Sequence, residues 1–334
     1  MSGYNQNSNA GFGLAETIRM HTGILSLGKI LVVCPSTDAN FDRLTNLVKT
    51  DSDGVVRLYT TLAAAYAAAT TNQNDVILLQ GNSAHAVTTG IAWSKSRIHV
   101  LGMDGGDRLV QQGARVVGAA ADDTGYVIKV TGTRNSFRNI KFDQGSTDAA
   151  GLTVAQFGGE GTLVKNCSFV FSTATNLDGN ETTTYEVVMG EDSGTFINCT
   201  FGNDTLDTTG ARAVMAIDVV TTSQEMKSCI FKDCLWNILS DDANANFIRV
   251  LATTDCKFGT TFINPIFHAS LNNTTGGIVL TDAVDSVSSL IEGDMFFVNP
   301  STNCTNFSSA ITDNLFVTGQ NPVAATAGVA VTPA

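Results

Sequence analysis

A six-residue pattern of apolar and polar positions recurs through more than half of the chain. Its first position is apolar, its third is a small or turn-forming residue, and its sixth is phenylalanine. The clearest copy is FINCTF at residues 196–201. The seven copies occupy residues 137–142, 164–169, 196–201, 226–231, 262–267, 291–296 and 311–316, and they close on Phe142, Phe169, Phe201, Phe231, Phe267, Phe296 and Phe316.

The apolar positions within each copy predict a bend between two short strands. A single β-strand alternates apolar and polar residues with period two. Here positions one, four and six are apolar in the first five copies, so the alternation slips at position three. A residue that accepts a left-handed backbone conformation suits such a corner. The predicted ladder consists of Asn139, Asn166 and Asn198 at the corner, Cys167, Cys199 and Cys229 in an inner column, and the closing phenylalanines.

The distance between copies predicts a solenoid. Successive closing phenylalanines lie 27, 32, 30, 36, 29 and 20 positions apart, a period at which each repeat forms one coil that cannot bury its apolar face alone. An antiparallel sandwich would need turn signals every ~8–12 residues. We therefore predict an all-β fold of stacked parallel coils. Residues 231–236 and 253–258 also fit the template, so the coil register between Met226 and Phe267 stays open.

The segments around the repeats predict a cap and two arms. Residues 60–70 (TTLAAAYAAAT) predict a helix that opens on a threonine cap, and a shorter helix is expected at 41–49. A helix laid over the first coil would protect its unpaired backbone groups. We divide the chain into an N-terminal arm and lead-in (1–55), the coils with their capping helix (56–316) and an extended C-terminal tail (317–334).

The asparagine corners and the inner columns of aliphatic, aromatic and cysteine residues resemble those of the pectate-lyase-like β-helices. The resemblance covers about residues 76–316, and the segment from the predicted cap to the strand at Val76–Leu79 looks like the start of many members. It implies a right-handed parallel β-helix. It implies no single activity, because this superfamily contains lyases, glycosidases, adhesins and many phage virion proteins.

Charge and composition narrow the classes of partner. The chain has 19 basic and 31 acidic residues, a net charge of −12 and a pI near 4.6. A phosphate backbone would repel such a chain, so we expect no nucleic-acid partner. No apolar run approaches the ~18 residues of a membrane span, and no basic segment followed by an apolar core opens the chain. We therefore expect no membrane partner and folding in a host bacterial cytoplasm.

The cysteines and histidines indicate packing rather than metal chemistry. The seven cysteines form no CxxC pair, and the four histidines are scattered along the chain. Cysteines of one inner column would act as small apolar fillers in a reducing compartment. We predict buried thiols, no structural metal and no cofactor.

Acidic pairs are the natural candidates for catalysis, because polysaccharide-cleaving β-helices use paired carboxylates, or calcium-bound carboxylates with a basic residue. In an acidic chain such pairs are also common as solvated corners. The resemblance implies paired-Asp, Gly-His-Gly and Arg-Ile-Lys strings in polygalacturonase-like members, and these are absent. The candidates are Glu191 with Asp192, Asp241 with Asp242, Asp282 with Asp285, and Arg212 or Arg249 as the basic residue of a lyase.

These features favour a non-enzymatic structural protein, and the whole chain resembles virion structural proteins of tailed bacteriophages. The resemblance implies a capsid decoration or cement protein, or a tail protein, that forms a homotrimer and binds other virion proteins such as the major capsid protein. We expect the polar arm and the uncharged tail to extend onto neighbouring subunits. The predicted assembly contacts are Phe12, Leu14 and Ile18 in the arm and Val323, Val329 and Val331 in the tail.

Two alternatives stay open. A tailspike-like depolymerase or glycan-binding appendage would carry a groove with two or more carboxylates within about 10 Å of each other. The two tryptophans and five tyrosines count against it, since carbohydrate sites use exposed aromatic side chains. A bacterial adhesin would need an export route, for which the N-terminal residues show no signal.

Overall fold

The chain winds as a right-handed parallel β-helix, which confirms the predicted fold class. All strand pairings among the described residues are parallel, apart from one isolated antiparallel bridge between Thr50 and Val56. The computed structural model describes residues 28–50, 54–104, 112–118, 125–145, 152–173, 183–208, 212–218, 220–221, 225–240, 242, 245–251, 256, 259–270, 277–281, 295–298, 301–302, 306–308, 315–318 and 329–330.

Three sheets form the walls of the coils. Sheet 1 runs in the spatial order β2 (Leu58–Tyr59), β1 (Ile30–Val33), β3 (Asp75–Leu79), β6 (Ile98–Gly102), β9 (Ser136–Arg138), β12 (Leu163–Lys165), β15 (Thr195–Ile197), β18 (Ile230–Lys232), β21 (Thr260–Ile263), β24 (Met295–Val298), β27 (Leu315–Thr318) and β28 (Val329–Ala330). Sheet 2 runs in the order β25 (Ser301–Thr302), β22 (Ile266–Ser270), β19 (Leu235–Leu239), β16 (Thr200–Phe201), β13 (Ser168–Phe171), β10 (Lys141–Gln144), β7 (Arg115–Gly118) and β4 (Ala84–Val87). Sheet 3 runs in the order β26 (Asn306–Ser308), β23 (Gly277–Thr281), β20 (Asn246–Val250), β17 (Ala213–Ile217), β14 (Tyr185–Met189), β11 (Thr153–Phe157), β8 (Tyr126–Val130) and β5 (Ile91–Trp93).

Two lines of left-handed residues bend the coils on either side of sheet 1. In five successive coils the two corner residues lie five positions apart, which leaves room for a strand of three or four residues between them. Backbone N–H groups at these corners donate to carbonyls of the following coil. The line between sheets 1 and 2 is Asn139, Asn166, Asn198, Asp233 and Asn264, with φ from 49° to 56°, and the line between sheets 3 and 1 is Arg134, Gly161, Ser193, Ser228 and Gly259, with φ from 53° to 68°.

Aromatic side chains stack along the axis of the rod. Each buried aromatic side chain contributes about 1.5–3 kcal/mol before entropy is subtracted, and the stacking geometry adds to this. One column passes through sheet 2 and holds Phe142, Phe169, Phe201, Trp236 and Phe267, with ring centroids 4.9–5.5 Å apart. The other passes through sheet 1 and holds Phe196, Phe231, Phe262 and Phe297, at 4.5–4.9 Å.

The sequence left the coil register between Met226 and Phe267 undecided. In the structure the coil after Met226 follows the copy at residues 231–236. Phe231 pairs with Phe196 in sheet 1, and Trp236 pairs with Phe201 in sheet 2. The prediction that Phe231 closes a copy is therefore wrong, because this residue opens one. Residues 226–231 fit the template because they cross the other corner, which is also left-handed.

The same shift corrects the predicted cysteine column. Cys167 and Cys199 directly follow corner asparagines, but the third member of that column is Cys234, which follows the corner residue Asp233. Cys229 lies in the other corner, where its Sγ donates to the Glu191 carbonyl at 3.2 Å.

The last two predicted copies also close in the wrong sheet. In β24 it is Phe297 that pairs with Phe262 and enters the core, while Phe296 pairs with Thr261 and faces outward. Phe316 pairs with Phe296 in sheet 1, not in sheet 2. In β24 the template matched an outward phenylalanine one position before the inward one. The first residues of both copies lie outside the described residues.

Both predicted helices are present near the N-terminal end. Helix α1 (Phe41–Val48) places Leu44 and Val48 against the outward side of β1 and β3, where Val32, Val76 and Leu78 are buried. β1 and β28 belong to sheet 1, although they lie within the segments 1–55 and 317–334 that the sequence analysis set apart from the coils.

Helix α2 (Leu62–Ala68) packs on the first coil. Its cap is Thr61, whose hydroxyl accepts from the Ala64 N–H at 3.2 Å. Tyr66 stacks on the buried Trp93 with ring centroids 4.1 Å apart. Lys95 extends from the coil to three carbonyls at the end of the helix, at 2.6–2.8 Å, and so completes the last turn.

Candidate functional site

The carboxylates of the first candidate catalytic pair diverge. Glu191 points into the core, where it is fully buried and accepts from the Thr162 N–H at 2.5 Å. Asp192 faces outward and forms an ion pair with Lys227 at 3.0 Å. One buried acid and one neutralised surface acid do not present two carboxylates to a substrate.

The buried position of Glu191 changes its acidity. Burial raises the pKa of Glu191 to about 8, and the nearby charge of Asp192 adds to the shift, against the lowering effect of the hydrogen bonds from Thr162. Gly194 leaves the space for this carboxyl, because a Cβ there would lie 2.9 Å from its carbon and one of its oxygens. At neutral pH Glu191 is therefore mainly a neutral acid inside the coil.

The other candidate acids are only partly described. Asp242 lies in a turn, where its N–H donates to the Ser240 hydroxyl at 3.2 Å. Asp241, Asp282 and Asp285 lie outside the described residues, so their prediction as catalytic pairs stays a prediction.

The two candidate basic residues are buried in different places. Arg212 is fully buried and forms an ion pair with Glu186, itself fully buried. Burial lowers the pKa of the Arg212 guanidinium to about 10. Arg249 lies on the outward side of sheet 3 beside Ala216, with 6% of its surface exposed.

Glu186 is a core residue that the sequence pattern did not predict. It lies level with Val154 and Val214 in an inward column that is otherwise apolar. The available signal was a single carboxylate within the apolar strand YEVVM. A buried ion pair of this kind satisfies both charges without making either available to a substrate.

The three asparagines of the predicted ladder lie at the corner between sheets 1 and 2. The Asn166 Nδ2 donates to the Asn139 Oδ1 at 3.1 Å, and the Asn264 Nδ2 donates to the Asp233 Oδ1 at 2.8 Å. Asn198 lies in the same line of left-handed corners. Neighbouring coils are thus joined by side-chain amides as well as by backbone hydrogen bonds.

The column cysteines are thiols that pack against their own corner. The Sγ atoms of Cys167, Cys199 and Cys234 donate to the carbonyls two residues earlier at 3.3–3.4 Å. Burial raises the pKa of the Cys167 and Cys234 thiols well above 9.0. The six cysteines in the described part of the chain are all buried and unbridged.

Of the predicted assembly contacts, only Val329 lies among the described residues. It belongs to β28, which pairs in parallel with β27 through Phe316. The other five, Phe12, Leu14, Ile18, Val323 and Val331, lie outside the described residues.

One side of sheet 1 forms a continuous outward surface, which we call the open face. Successive residues of a strand point to opposite sides, and the inward residues of six neighbouring strands are core residues. Apart from Ser136, the outward residues are all partly or fully exposed, with Ile230 at 39%. The open face consists of Ser136, Arg138, Leu163, Lys165, Thr195, Ile197, Ile230, Lys232, Thr261, Ile263, Phe296 and Val298.

The outward side of sheet 3 differs in its exposure. There Val188, Ala216 and Arg249 lie in one row across three strands, and they are 8%, 0% and 6% exposed. Apolar side chains that remain exposed in a row on a flat sheet indicate a binding surface. The open face is therefore a candidate functional surface among the described residues.

No cluster of three or more His, Cys, Asp or Glu side chains suited to a metal ion occurs among the described residues. Within the same residues, neither helix has the length and apolar character needed to cross a bilayer.

No protein-family model matches the chain, and no curated protein matches it significantly. Solved structures do match. A pectin methylesterase mutant in complex with a hexasaccharide aligns with a TM-score of 0.52 at 14% identity, over 92% of this chain and 91% of that chain. The pectin methylesterase of Aspergillus niger gives 0.51 at 13% identity, over 86% and 91%.

A third match is the pectin methylesterase of Yersinia enterocolitica, with a TM-score of 0.50 at 11% identity, over 82% of this chain and 95% of that chain. Identities this low show the fold alone. The chain is a right-handed parallel β-helix protein of the architecture that pectin methylesterases share, and its activity has to be argued from its own residues.

Proposed function

We propose that this chain is a non-enzymatic structural protein of a tailed-phage virion, most simply a capsid decoration or cement protein. The observation that carries the proposal is the open face, which exposes a row of aliphatic and basic side chains on an otherwise acidic protein. A stiff rod with one exposed apolar side is suited to adhesion, because a preformed surface loses little entropy on binding.

The positions of the candidate catalytic residues support the same proposal. Glu191 and Arg212 are fully buried, and Arg249 is nearly so. Because these three side chains are buried, a polysaccharide at the surface cannot reach their charged groups.

The proposal extends to assembly. The chain forms a homotrimer, and its arm and tail reach neighbouring subunits and the major capsid protein through the apolar residues named above. Ordering such segments costs entropy, so their contacts must bury enough apolar surface to offset it.

Purified particles test this proposal. Quantitative mass spectrometry of particles banded in a density gradient should find the chain in a fixed, repeated ratio to the major capsid protein. Its absence from the particles, with the protein recovered only in the soluble fraction, would contradict a virion role.

The alternative is a glycan-active appendage, and the observation that favours it is the fold shared with pectin methylesterases. Incubation of the chain with capsular polysaccharide or methylated pectin separates the two functions. A structural protein releases neither reducing ends nor methanol, whereas an appendage of the alternative kind releases one of them at a rate proportional to its concentration.

A further inference from the structure

The open face combines apolar side chains with basic ones. Its twelve positions hold six aliphatic or aromatic residues, three basic residues, and three hydroxyl residues. None of the 31 acidic residues of the chain lies on it. A surface that is apolar and basic, on a protein of net charge −12, attracts a partner that is apolar and acidic.

The basic residues form one row. In the backbone register of sheet 1, Arg138 lies beside Lys165 on the next strand, Lys165 lies beside Ile197, and Ile197 lies beside Lys232. Because neighbouring strands lie ~4.8 Å apart, the three charges are spaced by about 5 Å and then about 10 Å along the rod. The parallel row beside it, toward sheet 3, holds Leu163, Ile230 and Phe296 among hydroxyl residues.

The width of the open face limits what can occupy it. Three-residue strands between two corners are about 10 Å wide, and six strands span about 24 Å. That area is well below the roughly 800 Å² per partner of a stable interface between two globular surfaces. It matches one α-helix, which is about 10 Å wide and covers 24 Å with about 16 residues.

The chain itself shows a helix seated on this side of the sheet. Helix α1 covers the first strands of sheet 1 from outside, with Leu44 and Val48 on Val32 and Val76. The open face is the continuation of that seat along the same sheet, beyond the strand β6.

We propose that the open face binds an amphipathic α-helix of a partner protein, oriented along the rod, with carboxylates on the edge next to Arg138, Lys165 and Lys232. Carboxylates one, and then two, helical turns apart match the spacing of this row. Residues 14–25 of this chain (LAETIRMHTGIL) contain one acid, Glu16, and one arginine, so they do not match the pattern. This inference deepens the proposed function, on which it rests, by naming the kind of partner.

A labelled peptide tests the inference with the full-length chain. The probe is an 18-residue helical peptide with leucines along one side and glutamates beside them, and its matched control has lysine in place of each glutamate. Fluorescence anisotropy should show binding of the acidic peptide only, weakening as salt is raised. Equal binding of both peptides, or no binding of the acidic one, would overturn the inference.

Variants locate the binding on the molecule. The double change Lys165→Glu with Lys232→Glu should weaken binding about tenfold or more, whereas Arg115→Glu with Lys129→Glu makes the same change in net charge on the other two sheets and should leave it within about twofold. Likewise Ile230→Ser should weaken binding. Ile266 is an isoleucine of sheet 2 with similar exposure, so Ile266→Ser should leave binding unchanged. Circular dichroism melts confirm that all four variants fold.

The remaining outcomes are also decisive. If both double variants weaken binding equally, the attraction is not specific to the open face and the inference fails. If anionic vesicles compete with the peptide and bind through Lys165 and Lys232, the surface is a lipid site and the inference is wrong. Each of these results leaves the virion proposal intact, because particle composition tests that separately.

Discussion

Neighbouring residues of the same strand have different roles on the two sides of sheet 1. Phe231 faces inward, fully buried, with its ring stacked at 4.9 Å from Phe196 and 4.8 Å from Phe262. Ile230 faces outward and is 39% exposed. The inward column is apolar in every coil, whereas the outward rows mix aliphatic and basic residues. The inward positions stabilise the rod, and the proposed binding uses the outward positions, so substitutions can change the two separately.

The largest effect should come from the inward side. Phe231→Ala removes two stacking contacts and leaves a cavity between coils, so we expect a loss of about 3–5 kcal/mol in the free energy of unfolding. The matched change Ile230→Ala should cost about 0.5 kcal/mol or less. Urea unfolding followed by tryptophan fluorescence measures both. Similar losses for the two variants would show that the sides are not distinct.

The second test concerns an inward position that is charged. Arg212→Met leaves the fully buried Glu186 without its partner, so we expect a loss of about 3–5 kcal/mol in the free energy of unfolding. The double variant with Glu186→Leu and Arg212→Met removes both charges and should recover most of that loss. A double variant as unstable as the single one would mean that the ion pair itself stabilises the rod.

The third test uses the other buried acid. Because the folded chain keeps the Glu191 proton up to about pH 8 while the unfolded chain loses it near 4.5, the free energy of unfolding falls as pH rises through this window. Glu191→Gln should remove that part of the fall, roughly 4 kcal/mol between pH 5 and pH 9. The exposed neighbour Glu160→Gln is the control. An unchanged pH profile in Glu191→Gln would contradict the buried, neutral acid.

The smallest effect should come from the corner that joins sheet 1 to sheet 2. Asn198 has a φ of 51°, which a β-branched residue adopts only with strain, so Asn198→Val should cost about 1–2 kcal/mol. Asn198→Gly keeps the left-handed backbone accessible and should cost less. Thermal melts of the two variants rank them, and equal costs would mean that the corner geometry does not constrain this position.

The fold was predictable because two of its structural requirements select particular residue types. A left-handed corner favours asparagine, and an inward position between coils favours phenylalanine, so Asn166 and Phe169 mark the coil in the sequence. The second corner was missed because Arg134, Gly161 and Ser193 share no side-chain chemistry. Their backbone conformation is imposed by hydrogen bonds between coils, which a sequence pattern does not display.

The candidate site was less predictable than the fold. Glu186 and Arg212 are 26 positions apart, and only the stacking of coils brings them together. The open face likewise depends on the register after Met226, since a shift of one position in a strand exchanges inward and outward residues. The pair Phe296 and Phe297 shows this, because the predicted copy closes on Phe296, which faces outward, while Phe297 enters the core.

The most direct test of the account is lysine footprinting of the chain in isolated particles and as the free protein. Acetylation followed by mass spectrometry should show Lys165 and Lys232 protected in the particle, with Lys49 and Lys129 as reactive as in the free chain. Equal reactivity of Lys165 and Lys232 in both states would contradict the claim that the outward side of sheet 1 is the surface that binds a partner.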